Sequence, residues 1–308
     1  MKTLIRLLIK AHIKPDSSKS VNTDSGFTMI ELLVGTIIAF LITIPLLSFV
    51  VDVLNTDVKE EAKANTEQEV QTALDYIEQD LSQALYIYDN DGIVTAGIGN
   101  QVSFTNRTPI LVFWKRQFVP DVIPVPGDNS EPPDDTHVYS LIAYYLSTNN
   151  PNGIWSDQVR IERFELRDAV VNRWLDDDDD DYIIEAADPG FNDIPIGGTG
   201  TLEEQMNSWT KNGDFGGRNP EVLIDYVDQG TATGTVDCTN VSPDAQLIGT
   251  ANSGFYACVD SSRTLAKVFI RGNGLARIQD NAPTCTANST YCPTGSLTVQ
   301  GRSLFGSQ

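Results

Sequence analysis

Between Phe27 and Val51 the chain reads FTMIELLVGTIIAFLITIPLLSFVV, 25 residues with a single charge, Glu31. At about 1.5 Å of rise per residue, such a run crosses a hydrocarbon core of roughly 30 Å as one helix. Pro45 kinks it, which membrane helices tolerate.

Charge is distributed unevenly about it. Residues 1–26 hold five basic side chains (Lys2, Arg6, Lys10, Lys14, Lys19) and two acidic ones (Asp16, Asp24), a net of +3. The remainder holds 16 basic and 40 acidic residues, a net of -24. A basic tail ahead of an apolar run is the positive-inside pattern, so the N-terminus is expected in the cytoplasm and the body outside, anchored by one pass in the inner (plasma) membrane. The acidic body disfavours a nucleic-acid partner, because phosphate binding draws on clustered Lys and Arg. With 308 residues and 41% hydrophobic content, one globular body plus a stalk is the expected organisation.

A secretory signal peptide would place its small-x-small cut site soon after the apolar region. Ala62-Lys63-Ala64 is the candidate of that kind, and it lies more than ten residues past the run. The boundary Gly26-Phe27-Thr28-Met29-Ile30-Glu31 fits a cut better. Gly26 has no side chain, so an extended backbone there enters a tight protease cleft, and Phe27 is a bulky apolar new terminus. Glu31 is the informative residue: an unpaired carboxylate in hydrocarbon costs at least about 2.5 kcal/mol. Cleavage after Gly26 creates a partner for it, the α-ammonium of Phe27 on the same chain or on a neighbouring subunit. An ordinary single-pass anchor with Glu31 protonated or reaching the interface is the plainer alternative.

These residues resemble the cleavage and methylation site of type IV prepilins and type II secretion pseudopilins. The resemblance implies that a membrane-embedded prepilin peptidase and methyltransferase cuts after Gly26 and N-methylates Phe27. It also implies that Glu31 meets the terminal amine of a neighbouring pilin or pseudopilin as subunits enter a filament, driven by an inner-membrane assembly platform with an ATPase.

Beyond the membrane Val70, Leu74, Ile77, Leu81 and Ala84 recur at spacings of four and three. Glu67, Glu69, Asp75, Glu78 and Asp80 fall on other faces. The spacing predicts one helix from about residue 28 to 87, similar to the spine helix of pilins; a short coiled-coil stalk is the alternative. The chain then divides into a leader (1–26), the membrane half of the helix (27–51), an exposed amphipathic half (52–88) and a β-rich head with long acidic loops (89–308).

In the head, Asp89-Asn90-Asp91-Gly92 reads as a turn. Val102–Thr105, Ile110–Phe118, Val138–Leu146, Val159–Leu166, Val222–Val227 and Lys267–Arg271 read as strands. Asn273-Gly274 signals a hairpin joining the last of these to Leu275–Gln279. Pro120–Asp135 and Asp176–Pro220 read as long surface loops. The fold class is α+β, a spine helix against an antiparallel sheet.

All four Cys lie in the last quarter of the chain. In an oxidising exterior they form two disulfides, with Cys238–Cys258 and Cys285–Cys292 the nearest-neighbour choice among three connectivities. The run Asp176, Asp177, Asp178, Asp179, Asp180, Asp181 repels itself unless a hard cation is shared, so calcium is the one cofactor to consider, and a solvated acidic loop is the plainer reading. After leader removal His137 is the only His, with Asp134 and Asp135 beside it, and it reads as a strand-edge residue rather than a catalytic base. No enzymatic activity is expected. Trp114, Tyr139, Tyr144, Tyr145, Trp155 and Trp174 belong mostly to the core or sheet faces, with a sugar-binding face as the alternative.

Within the superfamily, the large acidic body and Leu74-x-x-Ile77-x-x-Asp80-Leu81-x-x-Ala84 resemble larger minor pilins and the J-type pseudopilin. The 26-residue leader and Asp-rich body also resemble cyanobacterial pseudopilins of hormogonium polysaccharide secretion and gliding motility. A membrane-anchored adhesin that binds glycan or calcium is the alternative from a different class.

Overall fold

The computed structural model describes residues 26–125, 132–150, 153–175, 182–230, 235–286 and 289–302. Helix α1 (Met29–Leu81) is 53 residues long. It runs through two units, one ending at Leu54 and the other starting at Asn55.

In the first unit every described residue is exposed, including Leu33, Phe40, Leu41 and Phe49. This is the one helix among the described residues long and apolar enough to cross a membrane. Its few polar groups turn inward on the helix: Thr36 Oγ1 donates to the Leu33 carbonyl at 2.8 Å and Thr43 Oγ1 to the Ala39 carbonyl at 2.7 Å. A hydroxyl satisfied by its own backbone leaves no unmet bond for a hydrocarbon surrounding.

In the second unit the helix behaves as a packed element. Ala62, Thr66, Val70, Ala73, Leu74, Ile77, Asp80 and Leu81 are buried along one face. The helix ends six residues earlier than the spacing predicts. Ala84–Ile87 is strand β1, buried at all four positions. A helix would hide only one face of Ala84-Leu85-Tyr86-Ile87, whereas an enclosed strand hides both. Ser82 Oγ and Gln83 Nε2 donate to the Gln79 carbonyl and close the helix end.

The body is mostly antiparallel sheet. The first sheet has the order β1-β2-β3-β4-β7, with β2 (Arg107–Ile123), β3 (Asp134–Ser147), β4 (Val159–Arg167) and β7 (Glu221–Val227). A second sheet has the order β11-β10-β9-β8, with β8 (Gln246–Ile248), β9 (Phe255–Asp260), β10 (Leu265–Arg271) and β11 (Thr294–Gln300). Between β4 and β7 the short strands β5 (Val170–Val171) and β6 (Ile183–Glu185) form a two-stranded pair. One apolar core joins the Val70–Leu81 face of α1, the first sheet and the inward residues of the second, among them Phe255, Ala257, Val259, Val268 and Ile270.

The second sheet approaches α1 through glycines. A Cβ on Gly272 would lie 2.3 Å from Thr66 Cγ2, and one on Gly295 would lie 2.5 Å from Leu74 Cδ1. A methyl group at either position would force the facing side chain to move, so the bare backbone itself forms the contact.

Several sequence expectations are corrected. Val102–Thr105 is not a strand: the Val102 carbonyl accepts from Tyr145 Oη at 2.7 Å, and Phe104 packs among Tyr145, Phe164 and Phe215. Asn273-Gly274 does not turn a hairpin. Asn273 has φ -122°, outside the left-handed region a type I′ turn needs, and Gly274–Arg277 forms a single 3₁₀ turn. The strand that follows β10 and pairs with it is β11, in continuous register from Leu265↔Gln300 to Arg271↔Thr294, while β9 pairs with its other edge. Pro120–Asp135 is partly strand, since β2 continues to Ile123 and β3 begins at Asp134. Asp176–Pro220 is not simply a surface loop: Phe191, Ile194, Met206, Trp209 and Phe215 from this stretch enter the core. Its short helix α2 (Leu202–Asn207) starts in a capping box between Thr201 and Glu204.

Both disulfides are the nearest-neighbour pairs, Cys238–Cys258 and Cys285–Cys292, with Cα separations of 5.4 and 6.0 Å. The first ties the turn at Cys238–Asn240 to β9, and the second closes the segment that leads into β11.

Candidate functional site

Gly26, Phe27 and Thr28 precede the helix and are exposed; a Cβ on Gly26 would meet nothing within 4 Å. The Gly26–Phe27 bond therefore lies in accessible, non-helical backbone, the form in which a protease reads a chain.

One turn on, Glu31 closes the helix start. Its carboxylate accepts from the Thr28 backbone N–H at 3.1 Å and from Thr28 Oγ1 at 2.9 Å. Thr28 Oγ1 in turn accepts from the Glu31 N–H at 3.3 Å. This reciprocal pair is a capping box, and it satisfies two donors that would otherwise face the surroundings unmet. The role of Thr28 is absent from the sequence reading, although Thr-x-x-Glu ahead of an apolar run is the sequence form of this motif.

A second charged cluster holds the other end of α1. Asp80, placed by the sequence on an outer face, is buried. Its carboxylate accepts from Lys115 Nζ at 2.8 Å, from Arg163 Nε at 2.7 Å and from Tyr144 Oη at 2.7 Å. Burial pushes the Asp80 carboxyl up, but Arg163 and Lys115 outweigh it and hold it below the usual carboxylate range. Arg163 also pairs with Glu165 at 2.8 Å, so the cluster approaches neutrality. Its chemistry is that of a joint, fastening the helix to β2, β3 and β4.

The remaining candidates do not gather into one site. His137 is exposed on β3, where its ring lies 5.2 Å from that of Phe118. Loss of solvent and the nearby Arg116 lower its pKa. Asp135 accepts instead from the Asp121 N–H at 3.0 Å. Trp114, Tyr144 and Tyr145 are buried core residues and Tyr139 is half-buried, whereas Trp155 and Trp174 are exposed. Asp176, Asp177, Asp178, Asp179, Asp180 and Asp181 lie outside the described residues, so the calcium expectation cannot be placed on the fold. Among the described residues no group of three or more His, Cys, Asp or Glu is arranged to hold a metal ion.

No family model matches this chain, and no curated protein or solved structure shows significant similarity to it.

Proposed function

We propose that this chain is a minor pilin or pseudopilin: processed after Gly26, N-methylated at Phe27, and assembled through α1 into a filament that serves secretion, of polysaccharide in the narrower reading, or motility. The observation that carries the reading is the junction itself. An accessible Gly–Phe bond sits directly before a helix whose first 26 residues, Met29–Leu54, bury nothing, with Glu31 the only charge on its apolar run.

The physical logic runs through that carboxylate. Placed in hydrocarbon without a partner it would cost at least about 2.5 kcal/mol. In the chain as it stands, Thr28 supplies two donors to it. Removal of the basic leader exposes an ammonium on Phe27, a stronger partner than a neutral hydroxyl. When that ammonium belongs to an adjacent subunit, the pair selects one axial register and rejects others, since any slip leaves a charge unmet. The peptidase, the inner-membrane platform with its ATPase, and the other subunits are the partners this reading requires. The N-terminus stays cytoplasmic and the head is exported, where the two disulfides persist. Nothing in this role calls for catalysis by the head.

Mass spectrometry of protein recovered from membranes tests the first step. A methylated Phe27 terminus is the expected result, and a retained leader or any other start overturns the proposal. Glu31→Ala tests the second: cleavage should continue while incorporation into filaments falls at least tenfold, and normal assembly would remove the role given to Glu31.

A further inference from the structure

The edge strand β7 runs beside α1, and three concavities of 390, 520 and 430 Å³ adjoin it. The first two share Glu69 and Leu223, the last two share Trp155, Ser156 and Tyr226, and Arg277 lines both the first and the third. Together they form one trough. Its surface combines three aromatic rings, Tyr76, Tyr226 and Trp155, with the amides of Asn65, Gln68 and Gln158.

The backbone of Trp155 is held in place, while the residue is 44% exposed. Asn150 brackets it, donating from Nδ2 to the Trp155 carbonyl at 2.9 Å and accepting from the Trp155 N–H at 3.3 Å. The next residue is fixed too: Ser156 donates its N–H and hydroxyl to Asp225 at 2.8 and 2.7 Å, and its carbonyl accepts from Arg160 at 2.8 Å. Such bracing of the backbone that carries a large apolar side chain left in water limits where the ring can lie and so preorganises the surface for a ligand. Tyr226 is equally fixed, with its ring 4.4 Å beneath the Arg277 guanidinium and its carbonyl accepting from the Asn273 N–H at 2.8 Å.

Charge narrows the choice of ligand. Arg277, the one cation lining the trough among the described residues, is committed to an ion pair with Glu69 and to Thr66 Oγ1. Asp157 and Asp280 line the trough, and the chain as a whole carries a net charge of -21. An anionic ligand is therefore repelled. A neutral sugar chain matches both features, since its C–H faces stack on aromatic rings while its hydroxyls exchange hydrogen bonds with amides and carboxylates. We propose that the trough beside β7 binds a neutral oligosaccharide, with Trp155 as its stacking platform. The inference stands apart from the filament role, because it rests only on the second unit, which takes in α1 from Asn55 onward.

The test uses the full chain in a detergent without a sugar headgroup, titrated calorimetrically with maltohexaose, cellohexaose and mannohexaose, and with oligogalacturonate as the anionic comparison. At least one neutral hexasaccharide should bind, oligogalacturonate should bind at least tenfold more weakly, and Trp155→Ala should weaken the neutral ligand at least tenfold. Trp174→Ala, which removes an exposed Trp outside the trough, should leave binding unchanged. Tyr76→Ala serves as a second trough variant and should weaken binding at least threefold, with unchanged melting showing that both variants fold. Failure of all three neutral sugars at millimolar concentration, undiminished binding by Trp155→Ala, or an equal loss with Trp174→Ala overturns the assignment.

Discussion

From Met29 to Leu54, α1 presents apolar side chains on every face and buries none, whereas from Ala62 to Leu81 it hides one stripe and leaves Glu67, Gln71, Asp75 and Glu78 in water. The same backbone geometry thus serves two environments, and the side-chain pattern decides which. Where apolar residues are continuous, no single protein surface covers the whole cylinder, and the length and composition are those of a helix able to cross a membrane. Where they recur every three or four residues, a protein surface suffices. Polar groups follow the same division: threonines in the first half bond back to their own helix, while Asp80 in the second half reaches out to two strands' cations.

The contrast is broken most directly at Asp80. Asp80→Ala leaves two largely buried cations, Lys115 and Arg163, to share the single carboxylate of Glu165, so the head should lose about 3 kcal/mol of stability in chemical denaturation. A loss under about 1 kcal/mol would mean that the cluster is hydrated and contributes no joint. Next comes a matched pair of truncations. Leu74→Ala removes a core side chain and should destabilise the head by about 2–5 kcal/mol, whereas Leu41→Ala, in the exposed apolar half, should leave the melting of the head unchanged. Equal losses from the two would erase the distinction between the halves. The smallest effect is on pH. Asp260 is held at about 2: burial pushes it up, but donors from Ser242, Ser262 and Arg263 more than offset this. Its folded value lies below the unfolded one near 4, so its stabilisation is complete above about pH 4 and is lost as pH falls toward 2. Asp80, also depressed, acts in the same direction. Asp260→Asn should flatten the fall in melting temperature between pH 4 and 2 by a few degrees, on the order of 1 kcal/mol after solvent screening. An unchanged slope would show that other carboxylates carry it.

What the sequence discloses and what it hides follow from how far each signal reaches along the chain. Continuous or regularly spaced apolar residues are local signals, so α1 and the strands β2, β3, β4, β7 and β10 are legible. Leu85-Tyr86-Ile87 misleads because its apolar residues extend the helical stripe, and only pairing with Phe113 and Trp114 makes it a strand. β11 is missed because its alternation rests on only two large apolar residues, Leu297 and Val299, too short a run to stand out in sequence. The stretch after Asp176 reads as loop from its Asp, Gly and Asn content, while Phe191, Met206, Trp209 and Phe215 lie too far apart to show any period. At the candidate site, Gly26, Phe27 and Glu31 are adjacent and therefore visible. The partners of Asp80 stand 35 and 83 residues away, a separation at which sequence pattern carries no pairing information.

Gly272 and Gly295 set the seat of α1 within the head more strictly than apolar packing alone would. Each meets a particular side chain, Thr66 or Leu74, at a separation where even one methyl group would collide. Turning the helix by a single residue would swing Glu67 or Asp75 toward those bare stretches of backbone. A seating turned by one residue is therefore disfavoured, because it would set a carboxylate against backbone that now meets apolar side-chain atoms.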